Sequence, residues 1–414
     1  MIEGDEKMKK DTTIIKNKLS ILTILIILGL FFLYIAQMNP SAVLTQIMGD
    51  LEISMAQGGF GISVIFIPII IFALIGPYIQ QKVGVKNMFV ITLITGGGGI
   101  LLYLIANNYG MLIVSRVLYG VGFGLSIPFI GAAIMHWYDP KQQEKMNTIN
   151  ALFPYFANVI VFGLTIPIME LFGGSWRMAL SVWGLLCFGV LLFWIGMVKD
   201  EGPISAEAAG EISSDKNVYL NIIKRKEIVI LIIAFICDFI SFSIISSMLP
   251  TYYELEAGFS PDLANNLTMI FPLAGIAGGL ISYWYMAKSG RRKGLLISGQ
   301  AMKVVGIVMF YFGQTSLLGF IGIGLVGMGN CIWIPPMYLV PMELESMTPT
   351  LVGASFSLIS SFGFVSGLIA PAVAGWMGDN FTLRLAIFLC AFPCLIGMIA
   401  CMMIRETGPG AKRT

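Results

Sequence analysis

The chain alternates long apolar stretches with short polar breaks from Leu19 almost to its end. A membrane crossing needs roughly 20 consecutive apolar residues, and the pattern supplies them repeatedly. Helices are predicted at 19–45, 55–80, 87–107, 109–137, 145–170 and 175–198. Six more are predicted at 228–253, 262–287, 294–313, 315–340, 350–377 and 382–404. Between the two sets lies a polar stretch, 199–227, containing DEGPISAEAAGEISSDK, which reads as a linker. The expected fold is all-α, with twelve transmembrane helices in two six-helix bundles, 19–198 and 228–404. A basic tail, 1–18, precedes them and a polar tail, 405–414, follows.

Composition fixes the solvent. Of the 414 residues, 57% are hydrophobic and 12% charged. Soluble domains carry about 25% charged residues, so this surface must face a lipid bilayer. Net charge is +2, which gives no reason to expect a nucleic-acid partner. The six cysteines all fall in apolar runs without a CxxC pair, and His136 is the only histidine. No metal or cofactor is therefore expected. No GxxxxGK[ST] loop is present, which argues against ATP-driven transport within the chain.

The charges are sorted by side. With the predicted helices, 21 of the 25 basic residues fall on the side of the N-terminus. Arg177 and Arg384 lie in opposite loops, and Arg116 and Lys303 lie inside helices. By the positive-inside rule both termini should be cytoplasmic, in the cell membrane. The PMELES segment breaks the pattern with two acids and no base. Trp137, Trp176, Trp284 and Trp376 near helix ends read as interfacial aromatics.

The halves repeat. LYGVGFGLSIP (118–128) aligns with LVGMGNCIWIP (325–335) at an offset of 207, pairing Gly120 with Gly327 and Gly122 with Gly329. KVGVK (82–86) aligns with KSGRR (288–292) at 206, and Arg177 with Arg384 at 207. Duplicated halves are a secondary-transporter plan, with the substrate site near the midplane between them. The glycines Gly120, Gly122, Gly124, Gly327 and Gly329 let helices approach closely.

Charges inside a membrane cost about 2.5–3.5 kcal/mol each on insertion scales. Arg116 in the fourth helix either attracts an anion or gates the pathway, or ties its helix to carbonyls of its own half. Asp238, near the middle of the seventh, either carries a proton or is a neutral acid bonded to Ser241. Lys303, in the ninth, either snorkels or pairs within its bundle. Gln37, Asn39, Asn147, Asn150, Tyr155, Asn158, Asn330 and Trp333 are further candidates for polar substrate groups. Asn150, Pro154 and Asn158 share a helical face.

Twelve spans, a central linker and duplicated halves resemble the major facilitator superfamily. That family's loop after the second helix carries an Asp-Arg pair before a Gly-Arg-Arg run. Here GPYIQQKVGVK has Gln81 for the acid and Lys82 for the arginine, and keeps Gly84 and Lys86. The second-half loop AKSGRRK keeps Gly290, Arg291 and Arg292, with Ala287 for the acid. The fourth-helix motif is intact: Arg116, Gly120, Gly122. The fifth helix lacks the GPxxGG signature of drug antiporters. PMELES is similar in texture to the anion and organic-acid branches.

The resemblance implies that helices 1, 4, 7 and 10 line the cavity and helix 9 is peripheral. It implies a monomeric transporter, not an enzyme, moving a small organic or inorganic anion by proton symport or exchange. The alternative is a proton-coupled exporter of drugs or hydrophobic compounds.

Overall fold

The computed structural model describes residues 21–138, 140–198, 222–347 and 349–410. The N-terminal tail 1–18, most of the linker (199–221), residues 411–414 and the side chains of His136 and Asn147 lie outside the described residues.

The chain is built from α1 (Ile21–Leu51, with a 3-10 turn at Asn39–Val43), α2 (Met55–Ser63), α3 (Phe66–Leu101), α4 (Tyr109–Trp137), α5 (Pro140–Leu171) and α6 (Trp176–Met197). The second half comprises α7 (Lys226–Leu255), α8 (Pro261–Thr268), α9 (Ile270–Ser289), α10 (Lys293–Gly313), α11 (Leu317–Glu343), α12 (Pro349–Asn380), α13 (Leu383–Leu389) and α14 (Ala391–Met402).

Among the described residues, eleven stretches are long and apolar enough to cross a membrane, against the twelve expected. The difference lies at Met55–Ile105, which runs 51 residues, or about 77 Å at 1.5 Å per residue. That is more than twice the roughly 30 Å of a hydrocarbon core. The stretch is broken at Gly84, which adopts φ 79° and ψ 168°, a conformation that favours glycine. Packing against α4 shows what the break does. Ile65, Ile69 and Gly76 meet Gly120, Gly124 and Pro128 in ascending order, whereas Gly96 and Gly99 meet Gly122 and Tyr119 in descending order. The two arms of α3 therefore run in opposite directions along α4. Gly290 (φ 64°), the repeat partner of Gly84, divides α9 from α10 in the same way.

Helices in lipid gain little from burying apolar surface, so they pack through small residues. The paired glycines do this in register. A β-carbon on Gly120 would strike the Ile65 carbonyl, and one on Gly327 the Phe271 carbonyl. Gly122 abuts Thr92, and Gly329 abuts Gly299. The paired arginines match too. Arg177 Nε donates to the Ala106 carbonyl (3.0 Å), and Arg384 Nε to the Tyr311 carbonyl (3.0 Å). Of the four tryptophans read as interfacial, Trp284 and Trp376 are exposed. Trp176 is buried against Tyr103, and its indole N–H donates to Asp50 (3.3 Å). All six cysteines are buried and free.

The halves are fastened at the end that carries Asp50. Leu44, Met55 and Ile62 of the first half are buried in the core of the second. Asp379, at the end of α12, accepts the Met55 N–H (2.9 Å) and the Ala56 N–H (2.8 Å) at the start of α2. Glu254 accepts Thr45 Oγ1 and Gln46 Nε2 (3.3 Å). A β-carbon on Gly59 would collide with the Pro371 carbonyl, and one on Gly375 with the Met55 carbonyl.

Candidate functional site

Arg116 is fully buried, and its guanidinium is used inside its own half. Nε donates to the Gly61 carbonyl (3.2 Å). Nη1 donates to the Ala36 carbonyl (3.1 Å) and Tyr103 Oη (3.3 Å). Nη2 donates to the carbonyls of Gln37 (2.9 Å) and Ile62 (2.7 Å). An arginine has five N–H donors, and all five are engaged. The local sequence explains the acceptors. Pro40 has no N–H to take the Ala36 carbonyl, and the α2–α3 junction at Val64–Ile65 interrupts the ladder that would take Gly61 and Ile62. Arg116 thus stitches two broken helices together and offers an incoming anion no free donor. Arg116→Ala should lower the thermal midpoint and folded yield sharply, since each buried carbonyl left unpaired costs about 1–3 kcal/mol. Arg116→Lys should recover little, because lysine lacks the planar fork. A thermal-shift measurement checks this. A normal midpoint with lost transport would favour the substrate-facing role instead.

The midplane of the second half holds a buried ion pair. Lys303 Nζ on α10 donates to Asp238 Oδ1 on α7, and both side chains are almost wholly enclosed. Asn330 Nδ2 on α11 donates to both carboxylate oxygens (3.1 and 3.2 Å). Tyr155, from α5 of the first half, donates to Asn330 Oδ1 (2.9 Å). Trp333, one turn on from Asn330, lays its ring 5.8 Å from Lys303 Nζ, within cation–π range. The expected bond from Ser241 to the Asp238 carboxyl does not form. Ser241 Oγ donates instead to the Asp238 backbone carbonyl (2.8 Å), the usual i−3 reach of a helical serine. Of the two readings of Lys303, it pairs within its bundle.

The remaining candidates do not join this cluster. Asn39 is buried and accepts Thr165 Oγ1 (2.7 Å). Gln37 is half-buried and supplies its carbonyl to Arg116. Asn150 lines a small cleft in the first half with Ile26, Leu30, Ile134 and Phe153. Asn158 is buried.

The loop residues separate likewise. Lys82 lies over the Tyr78 ring (4.3 Å), Gln81 is half-buried beside it, and the Lys86 carbonyl accepts Trp194 Nε1 (3.2 Å). In the second loop Arg291 is exposed, whereas Arg292 pairs with Glu343 (2.9 Å) of the PMELES segment. The acid missing at Ala287 is thus replaced from the end of α11. The first residues of the polar tail, 405–410, join in. Glu406 accepts the Arg292 N–H (2.6 Å), Thr407 Oγ1 donates to Glu343 (2.9 Å), and the Gly410 N–H reaches the Gly290 carbonyl (3.0 Å).

Comparison with known proteins bears on the family and the fold. The sequence model of the Major Facilitator Superfamily matches residues 26–347 and, in a second match, 231–414. A hexuronate transporter of Bacillus subtilis is 23% identical over 389 residues, covering 88% of this chain and 89% of its own. A probable sulfoacetate transporter of Cupriavidus necator is 21% identical, covering 84% of each. Among solved structures, a D-xylose-proton symporter superposes with a TM-score of 0.76 at 16% identity, over 95% of this chain and 98% of its own. At that identity the likeness speaks for the fold alone.

Proposed function

Because the chain belongs to the major facilitator superfamily, we propose that it is a secondary transporter of a small organic anion that works by alternating access. The observation that carries the transport reading is how the halves meet. They are held at the Asp50 end by a few polar bonds, close glycine contacts and the buried side chains of Leu44, Met55 and Ile62, a contact between two separately packed bundles that can be broken and remade without unfolding either. The substrate class rests on the two sequence relatives, both named for anionic solutes.

The two bundles, 19–198 and 228–404, are then the moving bodies, joined by the 199–227 linker. Counting the arms of the Gly84 hairpin separately gives twelve crossings. The lysine and arginine bias supports a cytoplasmic Gly290 end and cytoplasmic termini, which makes the Asp50 end the outer gate, closed in this conformer. One chain holds both halves, and it functions as a monomer in the cell membrane. Proton coupling falls to Asp238, where protonation releases Lys303 from its only carboxylate partner among the described residues.

Uptake into proteoliposomes tests this. Labelled hexuronate and sulfoacetate, a neutral sugar and a lipophilic cation are supplied with and without an inward proton gradient. The expected result is uptake of an anion above empty liposomes, raised by the gradient. Transport of only the sugar or the cation would overturn the substrate class.

A further inference from the structure

Tyr155 reaches from the first half into the interior of the second. Its ring lies over Gly275 of α9, where a β-carbon would come within 2.7 Å of two ring carbons. Only the missing side chain at Gly275 lets the phenol pass between α9 and α11. The hydroxyl then meets Asn330 Oδ1 (2.9 Å), while the amide nitrogen of the same side chain holds both oxygens of Asp238. Tyr155 is 3% exposed and Asn330 1% exposed. A hydrogen-bonded line of buried groups therefore runs from α5 in one half to the ion pair in the other.

The line is directional. An amide that gives its nitrogen to Asp238 has its oxygen fixed toward Tyr155. If α5 leaves, that oxygen is stranded in an apolar interior, where an unpaired acceptor is costly. The amide must then turn or find another donor, and its hold on Asp238 changes with it.

We infer that Asn330 is a positioning residue that links the Asp238–Lys303 pair to the packing of α5 against α9 and α11. The pair is held while Tyr155 is seated over Gly275, and it loosens when the halves part. Conversely, protonation of Asp238 loosens the seat of Tyr155. The titratable groups near the pair are Lys303 on α10, Cys237 on α7, Cys331 on α11, Cys390 between α13 and α14, Cys394 and Cys401 on α14, and Tyr155 itself. This inference deepens the proposed proton coupling and rests on it, so its test uses no substrate.

Spin labels at Leu164 on α5 and Leu273 on α9, both exposed, report the distance between the halves in detergent. In the otherwise native chain, acidification should shift the distance distribution toward a longer separation. Tyr155→Phe deletes only the hydroxyl. It should favour the longer distance already at neutral pH, by about fivefold in population, the weight of one hydrogen bond. It should also flatten the pH response. Gly275→Ala keeps the hydroxyl and blocks its seat, so it should act the same way. An unchanged distance across pH in the native chain overturns the inference, as does the same pH response in Tyr155→Phe. Failure of every solute in the uptake assay would overturn the transporter reading and leave this measurement standing.

Discussion

Gly375→Val should unfasten the Asp50 end of the molecule. Gly375 lies where α12 crosses the start of α2, and even one added carbon would collide with the Met55 carbonyl. That atom is backbone, so no side-chain rotation relieves the clash. The valine must push α12 away from α2, and Asp379, one turn further along, moves with it. Both hydrogen bonds from the Met55 and Ala56 N–H groups to Asp379 are then lost. These bonds place a carboxylate at the positive end of a helix, a favourable position worth about 0.3–1 kcal/mol beyond the bonds themselves.

Asp379→Asn is the milder test of the same contact. It keeps the shape, removes the charge, and puts an NH2 where an acceptor is needed. Cap losses of about 0.5–2 kcal/mol correspond to a roughly 2- to 30-fold shift between conformers. Ile62→Cys reports the outcome. Ile62 is 2% exposed in the closed conformer and packs into the second half. In detergent its thiol should be nearly inert to a bulky maleimide, while Gly375→Val should make it react at least about tenfold faster. Asp379→Asn should fall between. Equal labelling rates in all three backgrounds would mean that this contact does not hold the gate.

The helices and the duplication were legible because they depend on period and spacing alone. Arg116, Asp238 and Lys303 could be found by depth, since a charge in an apolar run needs no structure to be seen. What sequence left open was azimuth and partner. At Arg116 the charge alone fits an anion or a gate as well as a tie to carbonyls of its own half. Its acceptors are carbonyls freed by Pro40 and by a helix junction some 50 residues away, and backbone acceptors leave no trace in side-chain chemistry.

Lys303 is the instructive case. Gly299, Lys303 and Gly306 follow i, i+4, i+7 spacing, which puts the lysine on the close-packed stripe of its helix. Gly299 and Gly306 do press against α11. A charge flanked by contact glycines faces a neighbouring helix rather than lipid, and that signal was available. Tyr155 was legible only as a polar residue on the fifth helix. Its reach across the interface depends on the gap at Gly275, 120 positions away.

Asp238→Asn and Lys303→Met should each destabilise the protein, and together they should restore its folding without restoring proton-driven accumulation. Each single change leaves one member of a buried pair alone. Asp238→Asn strands an ammonium, and Lys303→Met strands a carboxylate still bonded to Asn330. Breaking a buried pair in this way costs about 3–5 kcal/mol, because the remaining charge has lost its compensation in a medium that cannot solvate it. The native stability of a domain is about 5–15 kcal/mol, so either single variant should show a strongly lowered thermal midpoint. The double variant removes both charges at similar volume. Neutral replacement of a buried ion pair is often neutral or stabilising, so the midpoint should return to near the native value. The paired change therefore separates folding from coupling, which neither single change can do. If the pair serves only to hold α7 against α10, the refolded double variant should accumulate solute under an imposed pH gradient as the native chain does. If Asp238 carries the proton, the double variant should exchange solute across the membrane yet fail to concentrate it at any external pH. Full gradient-driven accumulation by the double variant would remove Asp238 from the coupling path.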